Sequence, residues 1–483
     1  MTPGCVLLAY RRVMASSGPD QARKGVSRRR YMFRRALVFL VLCLLIGGGV
    51  FLFRGGGPKS TAEPVAAASP QSNESETEIV EQDTDPPVVE ITSEFDGLQP
   101  FDPVTVRGEV DEDATVSIAG EKKQVPAGEF SLTLRQPPRL PTKLTATDVA
   151  GNKMEEQLKF SVDWPPMRAV HVSGYAWASS SFRRTLLKMV DDRLINTIQL
   201  DLKDESGVIS YDSKVPMARA IESPAKIYDL KDALRALHRR DVRVVGRIVC
   251  FRDPILAAAS WPRHKERVIQ TANGAPYANY GGFTNFADPV VRDYNIDIAE
   301  EAARAGIDDI LYDYVRRPDG ALSGFRFPGL KTSPESAIES FVGQTQKRLS
   351  PYGTKLGLSV YGIAATRPKE IAQPIGRLAR RADYISPMVY PSHWAPGEYN
   401  VAHPNSQPYD IVYRSLKDFQ KKLKGTRSRL IPWLQDFSLG VTYGPAEVRA
   451  QIDAAKDRGI NEWILWDPKV TYTSAALTPM KPR

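Results

Sequence analysis

The 483-residue sequence predicts an α/β architecture: a (β/α)8 TIM barrel over 167–478, preceded by an antiparallel β-sandwich at 86–163 and a single N-terminal transmembrane helix at 36–53. Three observations predict it. An uncharged apolar run follows a cluster of arginines near the N-terminus. Short β-branched runs separated by turn residues fill the stretch up to Asp163. From Arg168 onward, eight apolar strands alternate with amphipathic helical stretches, the signature of βαβ units.

The N-terminal segments come first. Residues 1–35 hold nine Lys/Arg against Asp20, a charge of +8, and form a basic tail. Ala36 to Phe53 carries no charge over 18 residues, just enough at about 1.5 Å per residue to cross a hydrocarbon core. With Arg28, Arg29, Arg30, Arg34 and Arg35 before it, the positive-inside rule leaves the tail in the cytoplasm and exports the rest. The expected location is therefore a bacterial cytoplasmic (inner) membrane, single-pass, with the C-terminal domains extracytoplasmic. The alternative is secretion after signal cleavage, although the nearest small-residue site, Ala66-Ala67-Ala68, stands well beyond the apolar run. Residues 54–85 are rich in Gly, Pro, Ala, Ser and Glu, with a charge of −5, and read as a flexible acidic linker.

The whole chain carries +9, which leaves +6 spread over 86–483. That is too dilute for a nucleic-acid footprint, which needs a clustered basic face. Of three cysteines, Cys43 lies in the apolar run and Cys5 before it, so Cys250 is left alone and no intrachain disulfide framework is available.

In the sandwich, strands are expected at VVEIT (88–92), VTVRGEV (104–110), TVSIAG (115–120), FSLTL (130–134) and KLTATD (143–148). In the barrel they are AVHVSGYAW (169–177), NTIQLDLKD (196–204), VRVVGRIVCF (242–251), DDILYDYV (308–315), KLGLSVYGI (355–363), DYISPMVYPSH (383–393), RLIPWLQDF (429–437) and NEWILWDP (461–468). Helical stretches between them include 182–194, 230–240, 294–306 and 445–459. An open doubly wound sheet is the alternative, but no Gly-rich phosphate loop follows the first strand. Trp164-Pro165-Pro166 at the junction suggests that sandwich and barrel fold as separate units.

A barrel builds its site at the C-terminal ends of its strands. Here those ends carry Asp201, Lys203 and Asp204; Arg247; Asp313, Tyr314 and Arg316; Tyr361; Tyr390, Ser392 and His393; Trp433, Gln435 and Asp436; Trp466 and Asp467. Paired carboxylates with Trp and Tyr suit glycosidic cleavage, because one acid protonates the leaving oxygen, a second carboxylate attacks or stabilises, and aromatic faces pack on sugar rings. Asp313 is the expected nucleophile or cation stabiliser, with Asp201 or Asp436 as acid/base about 5–10 Å away. Arg247, Arg316, Tyr361, Tyr390, His393, Trp433, Gln435 and Trp466 are the expected substrate-binding residues. Asp204 and Asp467 read equally well as turn or helix caps, and Trp433 and Trp466 as core. Arg247, inside an apolar strand, requires a buried carboxylate, with Asp201 and Asp313 as candidates. Strand alternation turns Asp313 inward with Leu311, and Tyr312 and Tyr314 toward the helices. The five histidines show no metal-site spacing, so no metal and no cofactor are predicted.

Two resemblances add to this reading. The segment ATDVAGN (146–152) resembles the closing strand and turn of bacterial immunoglobulin-like modules. The segments NTIQLDLKDESGVISYDS (196–213), RDYNIDIAEEAARAGIDDILYDYVRRP (292–318), DYISPMVYPSHW (383–394), PNSQPYDIV (404–412) and IPWLQDF (431–437) resemble the putative glycosyl hydrolase domain family. That resemblance implies a TIM barrel related to glycoside hydrolases and supplies no substrate. GIDDILYDYVRRP is also similar to the fourth-strand motif of chitinase-type hydrolases, but Val315 stands where their acid glutamate would be, which argues against their mechanism. The expectation is a membrane-anchored glycoside hydrolase acting on an envelope or extracellular polysaccharide. The alternatives are a catalytically inactive barrel that binds polysaccharide, and a purely structural scaffold.

Overall fold

The computed structural model describes residues 83–481. The expected basic tail, the transmembrane segment and nearly all of the linker lie outside them. Among the described residues, no helix is long and apolar enough to cross a membrane.

Two antiparallel sheets open the described chain. One holds Val89–Ile91, Val104–Val110 and Gly128–Leu134; the other holds Glu121–Val125, Ala114–Ile118, Thr142–Asp148 and Lys153–Leu158, in spatial order. Strand alternation turns Val104, Val106 and Val110 to one face and Val116, Phe130, Leu132 and Leu144 to meet them in a single apolar core. Two of these strands, EKKQV and KMEEQL, were not expected from the sequence. They form the edges of the four-stranded sheet, and each buries only its last residue, Val125 or Leu158. Edge strands favour such charge, which discourages pairing with another chain. ATDVAGN is a turn inside the sheet and does not close it: Asp148 accepts from the Gly151 and Asn152 backbone N–H groups, and the chain runs on into Lys153–Leu158.

The eight barrel strands are Arg168–Val172, Thr197–Lys203, Arg243–Val249, Asp309–Asp313, Lys355–Tyr361, Tyr384–Met388, a seventh in two pieces (Arg429–Leu430 and Trp433–Gln435), and Trp463–Trp466. All pair in parallel in sequence order. The eighth returns to the first through Ile464 opposite Ala169, so the ring is closed. Pro432, which cannot donate a ladder hydrogen bond, falls where the seventh strand is interrupted. The first strand ends five residues earlier than its apolar pattern suggested. Ser173 caps a short helix, Gly174–Ala178, by accepting from Ala176 N, so the aromatic residues after it are helical. Gly357 makes room inside the ring: a Cβ there would lie 2.1 Å from the Tyr384 ring. Asp288 caps the helix Pro289–Arg304, which packs Val291, Ile298 and Ala302 on the outer face of the barrel.

The floor of the barrel is polar and is fastened to the sandwich. Arg243 and Asp309, the first residues of adjacent strands, form a bidentate ion pair with contacts of 2.8–3.1 Å. Trp164 lies between two guanidiniums, Arg243 and Arg139, each 5.0 Å from its ring. Arg139, from the loop before Thr142–Asp148, also pairs with Asp308, which accepts from His238 Nε2 (3.0 Å) and Val244 N (2.7 Å) as well. The barrel and sandwich cores are separate, so a 166–483 fragment is expected to fold by itself. Losing Arg139 from Asp308 is expected to cost about 1–3 kcal/mol. In calorimetry, Arg139→Ala in the full chain should melt several degrees lower, at roughly 2–4 °C per kcal/mol. An insoluble fragment would contradict independent folding, and an unchanged midpoint would show that the ion pair contributes nothing.

Candidate active site

The site begins with the register of three neighbouring strands. The second and third place Asp201 opposite Arg247, and the fourth brings Asp313 opposite Val249, one inward position higher. Arg247 thus sits among carboxylates at the C-terminal end of the ring. Its Nη1 donates to Asp201 Oδ1 at 2.9 Å, and its Nε and Nη2 donate to Asp313 Oδ2 at 3.0 and 2.6 Å. A third partner, Glu205, accepts from Nη2. The side chains of Arg247, Asp201 and Asp313 are only 3–4% exposed, whereas that of Glu205 is 23% exposed. The apolar strand therefore tolerates its charge because that charge is multiply paired.

A bulge helps bring Glu205 there. The ladder steps from Arg247 opposite Asp201 to Ile248 opposite Lys203, leaving Leu202 as the extra residue. Lys203 consequently turns into the helix layer, where Nζ donates to Asp253 and Asn295 at 2.8 Å and lies 4.7 Å from the Tyr294 ring. It is fully buried and takes no part in the mouth.

Each carboxylate has its own electrostatics. Burial works to raise the Asp201 carboxyl, but His171, whose Nε2 lies 3.1 Å from Oδ2, and Arg247 outweigh it and hold it below the usual range. Burial likewise opposes ionisation of Glu205, and Arg247 again wins. Asp204 goes the other way. Desolvation and the negative charges of Glu205 and Asp201 push its pKa up to about 7, against weaker opposition from the Ser206 and Val208 N–H groups. Asp313 Oδ1 accepts from Tyr314 N at 2.7 Å. Tyr314 has φ +50, a left-handed conformation that non-glycine residues adopt rarely and that concentrates at functional sites. Its ring therefore turns among Tyr280, Phe283 and Arg252 in the loops and away from the helix layer expected by simple alternation. Tyr312 does reach the helices, stacking on Phe341.

The other expected residues are mostly packed against one another. Tyr390 stacks on Trp466 with centroids 5.4 Å apart, and Phe437 and His393 meet the pair edge-on. Burial lowers the His393 pKa to about 3, so its ring is neutral. Burial, and after it the Asp313 charge, push the Tyr390 hydroxyl up, with Arg247 opposing. Trp433 is buried and donates through Nε1 to Ser359 Oγ at 2.9 Å inside the barrel. Gln435 is fully buried, with its amide taken by Ser392 N and Phe437 O. Arg316 is enclosed by the Tyr361, Tyr314 and Phe283 rings, at 4.3, 4.9 and 5.5 Å, and donates to the Tyr361 hydroxyl. Asp436 is held by Thr473, through Oγ1 at 2.6 Å and N at 2.8 Å, and makes no bond to Arg247. Arg247 thus joins Asp201 and Asp313 but not Asp436.

Two members of the cluster escaped the sequence reading, Glu205 and His171. The signal for Glu205 was the density of acids in DLKDESG, immediately after an apolar strand. His171 lies in a strand whose pattern is apolar, and the parallel pairing of the first strand with the second, His171 opposite Gln199, brings it to Asp201.

Residues 169–472 match the family model of the putative glycosyl hydrolase domain. The chain belongs to that family. The matched segment runs from the first barrel strand to beyond the eighth, so the domain that the family describes is the closed barrel. No curated protein matches it. Similar solved structures include the glycoside hydrolase domain of PgaB (BpsB) from Bordetella bronchiseptica, 14% identical, covering 63% of this chain and 94% of that one with a TM-score of 0.46. An α-galactosidase from Thermus thermophilus is 13% identical over 76% of this chain and 72% of its own, with a TM-score of 0.39. A hypothetical protein from Ruminiclostridium thermocellum is 24% identical over 39% of this chain and 96% of its own, with a TM-score of 0.36.

Proposed function

We propose that the barrel hydrolyses a glycosidic bond in an envelope or extracellular polysaccharide, using carboxylates gathered at its C-terminal mouth. The observation that carries this reading is Arg247 bridging Asp201, Asp313 and Glu205 at the ends of adjacent strands. A glycosidase needs one carboxylate kept ionised to attack the anomeric carbon or stabilise its positive charge, and a second group to handle the leaving oxygen. Asp313, doubly bonded to Arg247, fits the first role. Tyr390 and Trp466 supply aromatic faces beside it. Incubating the purified chain with a panel of polysaccharides should release new reducing ends from at least one. Binding without release across the panel would favour an inactive, polysaccharide-holding barrel.

In this reading the chain is held in the cytoplasmic membrane by residues 36–53, with the linker and an immunoglobulin-like spacer carrying the barrel outward. Protease added to intact spheroplasts should then degrade the barrel. Protection until lysis would sink that topology.

A further inference from the structure

We propose that Asp204, the residue immediately after the second barrel strand, is the general acid that protonates the departing glycosidic oxygen; this rests on the glycosidase reading above. A general acid must present a proton on one of its oxygens; a carboxylate whose oxygens both accept from donors can serve as an anion but is poorly placed to carry that proton. Asp201 has both oxygens committed, to Arg247 and His171, and Asp313 has both committed, to Arg247 and Tyr314 N. Asp436 has both taken by Thr473. At the end of the second strand this leaves Asp204 and Glu205. Glu205 is held as an anion by Arg247 and has no proton to give.

Asp204 differs in each respect. Its Oδ1 accepts from Ser206 N at 2.9 Å and Val208 N at 3.1 Å, which fixes the plane of the carboxyl. Oδ2 meets no donor among the described residues and is not sealed from solvent. The turn carrying it is rigid. Asp204 N donates to Val208 O, and Gly207 N donates to Asp204 O. Gly207 takes φ +80 where a Cβ would strike Asp253 Oδ1 at 2.3 Å. The charged groups acting on Asp204 are Glu205 and Asp201 from its own segment, and the Lys203–Asp253 pair lies against Gly207 of the same turn. Burial, and after it the anions Glu205 and Asp201, push the Asp204 pKa up to about 7, while Arg247 keeps Glu205 ionised. Neighbouring carboxyls whose proton affinities are driven apart in this way divide the acid and anion roles of hydrolysis between them. In the reaction, the breaking C–O bond leaves its electron pair on the departing oxygen, which takes the proton from Asp204. The water that supplies the new hydroxyl to the anomeric carbon returns a proton to the Asp204 carboxylate.

The test compares the native chain, Asp204→Asn and Glu205→Gln on 4-nitrophenyl glycosides and on the matching unactivated oligosaccharides. Asp204→Asn should lose about 10²–10⁴-fold in kcat/KM on the oligosaccharides and far less on the nitrophenyl substrates, whose phenolate departs without a proton. The alkaline limb of the native pH profile, near pH 7, should vanish in Asp204→Asn and move to lower pH in Glu205→Gln. A carboxyl ¹³C NMR titration, assigned by the signal missing from Asp204→Asn, should show the same downward move in Glu205→Gln without any substrate. An active native chain whose Asp204→Asn variant keeps its rate and its alkaline limb overturns the role of Asp204 alone. A native chain inert on every probe overturns the glycosidase reading and the acid's role with it.

Discussion

Asp313→Asn is expected to fold, to bind sugar, and to lose hydrolysis by a factor on the order of 10³ or more. Asn keeps the shape of the side chain, but its Oδ1 can accept from Arg247 or from Tyr314 N and not from both. One bond is lost and the melting temperature should fall by a few degrees, while Asp201 and Glu205 still neutralise Arg247. The negative charge is what disappears. If Asp313 attacks the anomeric carbon or faces its developing positive charge, no neighbour can replace it. Asp201 lies under Arg247 and His171, and Glu205 points its bound oxygen at the same guanidinium. The loss should therefore fall on kcat, with substrate affinity nearly unchanged, because aromatic stacking on Tyr390 and Trp466 does not depend on the carboxylate. Turnover at the native rate would make Asp313 a structural partner of Arg247 and nothing more.

How far the sequence led can be traced residue by residue. The barrel was legible because its strands are apolar runs and its helices carry the longer period, so βαβ alternation survives even where boundaries slip. The slips have local causes. Ser173 caps a helix inside what reads as one apolar strand, Pro432 interrupts the seventh strand, and the polar edge strands EKKQV and KMEEQL carry almost no apolar signal. The pairing of Arg247 was legible because a guanidinium inside an apolar strand has to find an anion. Its third partner was not, because Glu205 arrives through a bulge at Leu202, and a one-residue register shift leaves no mark in composition. The outward turn of Lys203 follows from the same bulge. Trp433, Gln435 and Arg316 have the residue types that sugar sites use, yet Ser359, Phe437 and Tyr361 already occupy their polar groups. Residue type marks a candidate, and only the neighbours decide whether its polar atoms remain available.

Arg247→Met is expected to be the most damaging single change to stability. Methionine fills much of the volume but leaves Asp201 with His171 alone, Asp313 with one backbone N–H, and Glu205 with no partner in the cluster. Breaking a buried ion pair by removing one partner costs roughly 3–5 kcal/mol, and here one cation serves three anions. The melting temperature at pH 7 should fall by about 10 °C or more, at roughly 2–4 °C per kcal/mol. The pH dependence gives a sharper reading. Asp201 and Glu205 are held below their ordinary carboxylate values in the folded chain, so they contribute stability that is fully present above the unfolded values of about 4 and is lost as pH falls through the folded ones. Without Arg247, burial and the Asp201 charge prevail at Glu205, which takes up its proton at higher pH than in the unfolded chain, while Asp201 keeps only His171. Between pH 7 and pH 4 the variant is then relieved by protonation while the native contribution stays intact, so the gap between their melting temperatures should be widest near pH 7 and shrink toward pH 4. Arg247→Lys should recover only part of the gap, because a single ammonium cannot span the positions that the planar guanidinium fork holds together. Equal gaps at pH 4 and pH 7 would mean that Arg247 acts through packing, and that the carboxylates around it are not held ionised by its charge.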